Sequence, residues 1–381
     1  MKMNKQTCLH FLHSSFLFFI LLLSFMSCKK EAWKPGTPLE KEKIKIGVVH
    51  ITDPFSENSG YAYAHQTGIE EMKNNLKLAD SQVLYKTHVD DADLISVENA
   101  VRELIAQGAN IIFATSWGYM DTCEKLAQEF PSVVFAHATG YKYNDTNFTN
   151  YFGRVYQARY LSGIAAGMKT KTGKIGFVAA WGTENSEVTG GLNAFALGVE
   201  KANPRARIHV KVTHSWFDPM GEAFAGRALI AEGCDVIAQH CDTPTPQIEA
   251  QKAGVWGIGY NTDMSIDAPA AVVTSVLWHW SAYYTVLVQS VIDGSFTTAP
   301  WFGSLKDGVV GIAPLNKNIA VDEKTARIIE EEQQRIESGA FDVFSGVMIT
   351  NKGKSIGREG ESLPDDEIRN GINWYYRTVV E

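Results

Sequence analysis

Of six short segments of this chain, TDPFSENSGY, TSWGYMD, AAWGTENS, HSWFDP, QHCDTP and GYNTDM, most mix aromatic side chains with small polar ones. A simple connector needs only turn formers such as Gly, Asn and Ser. Indole and phenol rings add flat apolar faces, and the carboxyl, amide and imidazole groups beside them add directed hydrogen bonds. That combination holds a molecule; it does not by itself break a bond. The motifs of bond-breaking chemistry are missing: there is no P-loop, GxSxG elbow, HExxH or GxGxxG. His240, Cys241 and Asp242 are adjacent, but neighbours on a strand point to opposite faces and do not jointly grip one metal. Neither a metal nor a cofactor is expected.

The six segments fall where strands hand over to helices. Lys43–Ile51, Gln82–Val89, Asn110–Thr115 and Ser132–Ala138 read as strands, separated by helices at Tyr61–Leu76, at Leu94–Gln107 and from the SWGYMD loop to Phe130. A bridge from Tyr151 to Gly182 opens a second set. It holds a short extended piece (Tyr151–Val155), then a helix whose Gly163, Ala166 and Gly167 allow close packing. A basic turn with Gly173 follows, then a buried strand from Ile175 to Trp181. Strands at Arg207–His214, Asp235–His240 and Val255–Tyr260 then alternate with helices at Glu187–Ala202, Phe224–Glu232 and Gln247–Ala253. Ala271–Ser275 is expected to lead directly into a long helix ending at Asp293. Trp301–Ile312 reads as a strand pair and Asp365–Val380 as a terminal helix. Such alternation implies an α/β fold with parallel sheets, whose ligands bind beyond the C-terminal strand ends.

At 381 residues the chain exceeds one compact core, so two lobes are expected. The net charge of −8 argues against a nucleic-acid surface. Lys2 and Lys5 precede an apolar run, Phe16–Met26, broken only by Ser24. A span needs about 20 apolar residues, so this run suits a signal peptide instead. Phe25-Met26-Ser27-Cys28 resembles a bacterial lipobox, apart from Phe25 where Leu is usual. Residues 1–27 then form the signal, Cys28 is the lipidated residue, and residues 28–42 are a flexible tether. Cys123, Cys234 and Cys241 are expected as buried free thiols.

The bridge FGRVYQARYLSGIAAGMKTKTGKIGFVAAWG resembles the basic membrane protein family of substrate-binding lipoproteins, which serve ABC transporters and are similar to purine nucleoside receptors. GYNTDMSIDAPAAVVTSV and WFGSLKDGVVGIAP extend the resemblance, which covers roughly residues 43–381. It implies a type I periplasmic-binding fold: two Rossmann-like lobes with parallel sheets, a hinge, and a ligand in the cleft. Lobe 1 would be residues 43–148 with 264–300, and lobe 2 residues 149–263 with 301–381. It implies that Tyr61 and Trp216 sandwich a purine and that Asp121 accepts from purine N–H groups, with Trp117 in the same loop. Two departures concern the sugar. Asn261 stands where nucleoside binders carry a ribose-holding Asp, and Trp278 where they carry a Lys. QHCDTP replaces their Gly-rich loop. The ligand expected is therefore a free base such as adenine, with Trp278, His240 or Asp242 filling the sugar's volume.

Each residue also has a plainer reading. Tyr61 and Trp216 equally suit helix-start and loop anchors, and Asp121 suits a helix N-terminal acid. Trp181 is a lid over the cleft or interlobe packing, and His240 a cleft contact or a core histidine. On a helix, Trp278 and Trp280 would point apart, with Trp278 toward the cleft. Asn261 and Asp263 are expected near the hinge. The resemblance implies a monomer in the bacterial cell envelope, held by its lipid, exchanging a small purine with an ABC permease. A nucleoside or sugar binder, a ligand sensor and a nucleoside hydrolase are the other readings; the last would need a metal or a base–nucleophile pair.

Overall fold

The strands form where apolar runs are continuous, because a parallel sheet covered on both faces buries every side chain. In the computed structural model, residues 33–319 and 321–381 are described, and the signal segment and Cys28 lie outside them. The first elements are β1 (Ile46–Val49), α1 (Tyr61–Leu76), β2 (Val83–Lys86), α2 (Leu94–Ala106), β3 (Ile111–Ala114), α3 (Met120–Glu129), β4 (Val134–Ala138) and β5 (Phe148–Gly153). Then come α4 (Val155–Lys169), β6 (Lys174–Ala179), α5 (Ser186–Ala202), β7 (Arg207–Val212), α6 (Pro219–Ala231), β8 (Val236–His240), α7 (Thr245–Ala253), β9 (Trp256–Asn261) and β10 (Val272–Trp278). The chain closes with α8 (Ser281–Asp293), β11 (Trp301–Gly303), β12 (Val310–Ile312), α9 (Glu323–Glu337), β13 (Met348–Ile349), β14 (Ser355–Ile356), α10 (Asp365–Asn370) and β15 (Val379–Val380).

Two sheets result. The first runs β11-β5-β4-β3-β1-β2 and the second β12-β10-β9-β8-β6-β7-β15. Every pairing in the first is parallel. In the second, only β12 runs antiparallel to its neighbour. The helix α4 packs on α5 at close range because glycines stand at the contact. A Cβ on Gly163 would strike the Phe195 carbonyl, and one on Gly198 the Tyr160 carbonyl. Residues 35–381 form one compact unit.

Several sequence expectations are corrected. Val272–Trp278 is a strand and the helix begins only at Ser281. Its run of Val and Thr is stiff at χ1 and favours the pleated surface. Trp301–Gly303 and Val310–Ile312 do not pair with each other: one extends the first sheet and the other the second. The terminal helix stops at Asn370 before Gly371, and Val379–Val380 pairs with β7 instead. The division of strands also differs: residues 148–153 belong to the first sheet and 272–278 to the second. At the far end of the expected tether, Leu39 is buried and its N–H reaches the Val291 and Ile292 carbonyls.

The chain therefore passes between the sheets at residues 153–155, 278–281 and 303–310. These crossings lie side by side. Arg154 N–H donates to the Gly303 carbonyl at 2.7 Å, and His279 N–H to the Val309 carbonyl at 2.8 Å. Asn261 ends β9 and Asp263 follows it, and neither is at a crossing.

Candidate ligand-binding cleft

The C-terminal strand ends of both sheets open on one cavity of 840 Å³. That is where parallel α/β sheets hold ligands, and the volume falls within the usual range for small-molecule sites. The first lobe contributes Tyr61, the loop after β2 with His88, Asp90 and Asp91, and Ser116 and Trp117 after β3. The second contributes Trp181, Glu184 and Glu187 after β6, Trp216 after β7, Asp242 after β8, and Tyr260 on β9. A smaller cavity of 270 Å³ adjoins it, sharing Trp117, Glu184 and Glu187 and reaching Arg369.

Local sequence explains the positions. Gly60 precedes α1 with φ +96°, a backbone that L residues rarely adopt, and a Cβ there would press on the Asp242 carbonyl. Gly60 thus lets the start of α1, and Tyr61 with it, approach the opposite lobe. The α5 helix starts at the cavity because the Asn185 side chain accepts from Val188 N–H at 3.0 Å. The start of α6 is set by Asp218, which accepts from Gly221 N–H, with Pro219 as first helical residue. Asp242 N–H donates to the Trp216 carbonyl at 2.9 Å, locking those two loops together.

Five of the nine expected ligand residues line the cavity: Tyr61, Trp117, Trp181, Trp216 and Asp242. Four do not. Asp121 sits in the first turn of α3 with its side chain 68% exposed, paired to Lys142 at 2.9 Å. His240 is fully buried in a layer behind the wall, its ring 6.1 Å from that of Trp216. Asn261 is buried at φ +68° and donates to the Asp242 carboxylate at 3.1 Å. Trp278 donates from its indole N–H to the Tyr260 hydroxyl at 3.2 Å, so Tyr260 stands between it and the cavity. The expectation that Trp278 and Trp280 diverge is also corrected. They stack at 4.4 Å and 9°, because Trp278 ends a strand and residues two apart along an extended chain share a face.

Glu187, Glu184, Asp90, Asp91 and Tyr260 were missed by the sequence reading. Glu187 looked like an ordinary first-turn acid behind an Asn cap. Tyr260 precedes Asn261 on the same strand, and alternation sends only one of the two toward the cavity. In the fold the member toward the cavity is Tyr260, and Asn261 turns to Asp242 instead.

The electrostatics divide the cavity. Asp90, Asp91, Glu184, Glu187 and Asp242 line it, with no Lys or Arg among the lining residues. Burial pushes the Asp242 carboxyl well above the usual range, and the neighbouring acids Glu222 and Glu187 add to it. Burial likewise raises Glu187 to about 7, against the pull of the Arg159 cation. His240 is held well below its ordinary value by burial and by Arg159. Arg159 lies buried behind Tyr260, 4.1 Å from its ring centre, and donates to the Gln239 carbonyl at 2.6 Å. Burial lowers its pKa to about 10. A phosphate in this cavity would face carboxyls without a lining Lys or Arg, whereas an uncharged ring bearing N–H groups would find acceptors. Cys241 is buried, its thiol pushed up by burial, and among the described residues no group of His, Cys, Asp and Glu is placed to hold a metal ion.

Comparison with known proteins agrees with this geometry. Residues 44–340 match the family described as ABC transporter substrate-binding protein, PnrA-like. The chain is 34% identical over 344 residues to a purine-binding protein of Brucella abortus (strain 2308), covering 90% of this chain and 95% of that protein. It is 34% identical over 312 residues to a Haloferax volcanii protein provisionally named an ABC transporter glucose-binding protein, covering 82% of this chain and 76% of the other. A solved ABC solute-binding protein of Conexibacter woesei superposes with a TM-score of 0.65 at 20% identity, over 78% of this chain and 98% of that one. The fold is the type I periplasmic-binding fold, and the chain belongs to the PnrA-like family of ABC transporter substrate-binding proteins.

Proposed function

We propose that this protein captures a purine base, adenine or a close relative, and presents it to an ABC permease. The observation that carries the reading is that Tyr61 and Trp216, from different lobes, line the same cavity. Lobe closure about the three crossings would bring the two rings onto the faces of one flat ligand. Such stacking contributes about 1–3 kcal/mol per base. The carboxyls of the cavity supply acceptors for N–H groups, and the lack of a lining Lys or Arg disfavours nucleotides. The similarity to a purine-binding relative supports the same ligand class. Bond-breaking is no part of this reading.

ABC substrate-binding proteins work outside the cytoplasm, and among the described residues no helix is long and apolar enough to cross a membrane. The proposed anchor is a lipid on Cys28, with the body acting as a monomer. Mass measurement of the membrane-extracted protein tests that anchor: a mature chain beginning at unmodified Cys28, or one keeping residues 1–27, would count against it.

A nucleoside is the second reading, favoured by the 840 Å³ of the cavity, which leaves room beside a base. Calorimetric titration separates the two. Adenine binding tighter than adenosine supports the base; tighter adenosine binding overturns it in favour of the nucleoside.

A further inference from the structure

Glu187 stands apart from the other acids of the cavity. It lies on the second-lobe wall in the first turn of α5, with its side chain 22% exposed. Its Oε1 lies 3.5 Å from Nε2 of His240, yet both ring nitrogens of that fully buried histidine lack a hydrogen-bond partner in the chain. The Oδ1 of buried Asn261 is also unpartnered, beside Asp242. Several elements converge on Glu187. His240 of β8 is in contact with it, and Arg159 of α4, Asp242 of the loop after β8, Tyr260 of β9 and Tyr61 of α1 lie within electrostatic reach. Glu184 is the other acid of its own loop, and it is tied down by the Gly182 N–H at 3.0 Å.

We infer that Glu187 is a specificity-determining contact, presenting one O–H donor and one C=O acceptor to a ligand edge that carries an acceptor and a donor side by side. In adenine that edge is a ring nitrogen next to the exocyclic amine. The acid O–H donates to the ring nitrogen, and its carbonyl accepts from the amine. Hypoxanthine offers the same pair in reverse order through its ring N–H and carbonyl. Guanine carries the same ring N–H and carbonyl pair as hypoxanthine, and its two-donor edge suits an ionised carboxylate instead. Burial raises Glu187 to about 7, so the neutral acid is populated in the neutral range. Arg159 does not quench it with an ion pair, since its Nε and one terminal nitrogen are themselves unpartnered. Neither the expected sandwich nor the acid in the α3 loop requires this role of Glu187.

This assignment rests on the purine reading, and adenine is the probe that tests it. Adenine is titrated into the full chain, Glu187→Gln and Glu187→Ala between about pH 5.5 and 8.5, with melting curves to show that each variant is folded. A group that binds only when protonated loses about tenfold in affinity per pH unit above its pKa. The wild type should therefore lose about tenfold between about pH 7 and 8.5. Glutamine keeps one donor and one acceptor, so Glu187→Gln should bind adenine with a flat pH profile. Glu187→Ala should bind weakly at every pH. A flat wild-type profile, or a slope that persists in Glu187→Gln and so belongs to another acid such as Asp242, would overturn the assignment while leaving the purine reading standing. Failure of every purine base to bind at any pH would remove that reading, and this assignment with it.

Discussion

The two walls of the cleft are built differently. On the first-lobe wall the polar groups of the loops after β2 and β3 have partners. Ser116 donates to Asp91 at 2.5 Å, Asp90 accepts from Ala92 N–H at 2.9 Å, and His88 lies 3.3 Å from the Thr87 hydroxyl. Just behind the first-lobe wall, His65 Nε2 and His137 Nδ1 lack partners; behind the second-lobe wall the group is larger, with two nitrogens of His240, one oxygen of Asn261 and two nitrogens of Arg159. Buried polar atoms without partners are costly, and native proteins keep few of them without a reason. The difference suggests a division of labour: each wall supplies a flat surface, Tyr61 and Trp216, and the second in addition reads the edge of the ligand. Behind both runs a continuous aromatic row. His65 of α1 stacks on Trp280 at 4.4 Å, and Trp280 on Trp278 of β10 at the same spacing.

The largest expected effect comes from breaking that shared row. Trp280→Ala removes a fully buried indole wedged between elements of the two lobes. It should cost about 3–5 kcal/mol of stability, measured by chemical denaturation. A loss below about 1 kcal/mol would mean that the row does not join the walls. Next come the stacking faces. Trp216→Ala and Tyr61→Ala should each weaken adenine binding by about 1–3 kcal/mol. If neither moves the affinity, the flat surfaces lie elsewhere, with Trp181 and Trp117 as the remaining indoles on the cavity.

The edge-reading wall has a pH signature even without ligand. Glu187 in the folded protein titrates at about 7, above its ordinary 4.5. The folded state therefore holds a proton that the unfolded chain releases between those values. That contribution to stability is full below about pH 4.5 and is lost as pH rises through about 7. Glu187→Gln, which cannot ionise, should be more stable than wild type at about pH 8 by on the order of 3 kcal/mol, with the gap closing toward about pH 4.5. Thermal melts across that range check it; a constant gap would place the titration on another group. The smallest effect is expected at Asp121. Its exposed pairing with Lys142 lies off the cavity, so Asp121→Ala should leave adenine affinity unchanged and cost less than about 1 kcal/mol. A tenfold loss of affinity would bring the α3 loop back into the site.

The alternation of strands and helices, and the loops that carry the site, were legible because continuous apolar runs and turn formers are local signals. The crossings were harder. Val272–Trp278 is stiff and apolar enough for a strand, but its neighbours β9 and β12 are set by the sheet and not by the sequence nearby. That single misplacement moved Trp278 from behind Tyr260 into the expected cleft. Trp181 and Trp216 were visible because large rings in connector loops are unusual. Glu187 was hidden because an acid in a first helical turn has an ordinary structural explanation, and only the fold brings Arg159, His240 and Tyr260 around it. The buried thiols Cys123, Cys234 and Cys241 sit as their spacing indicated.

The central claim is that a purine ring is clasped between Tyr61 and Trp216. Isothermal titration of adenine, with glucose as the competing candidate, tests it most directly. The account predicts one adenine site per chain, weakened in Trp216→Ala, and no heat from glucose. Saturable heat from glucose with none from adenine, hypoxanthine or guanine would contradict it.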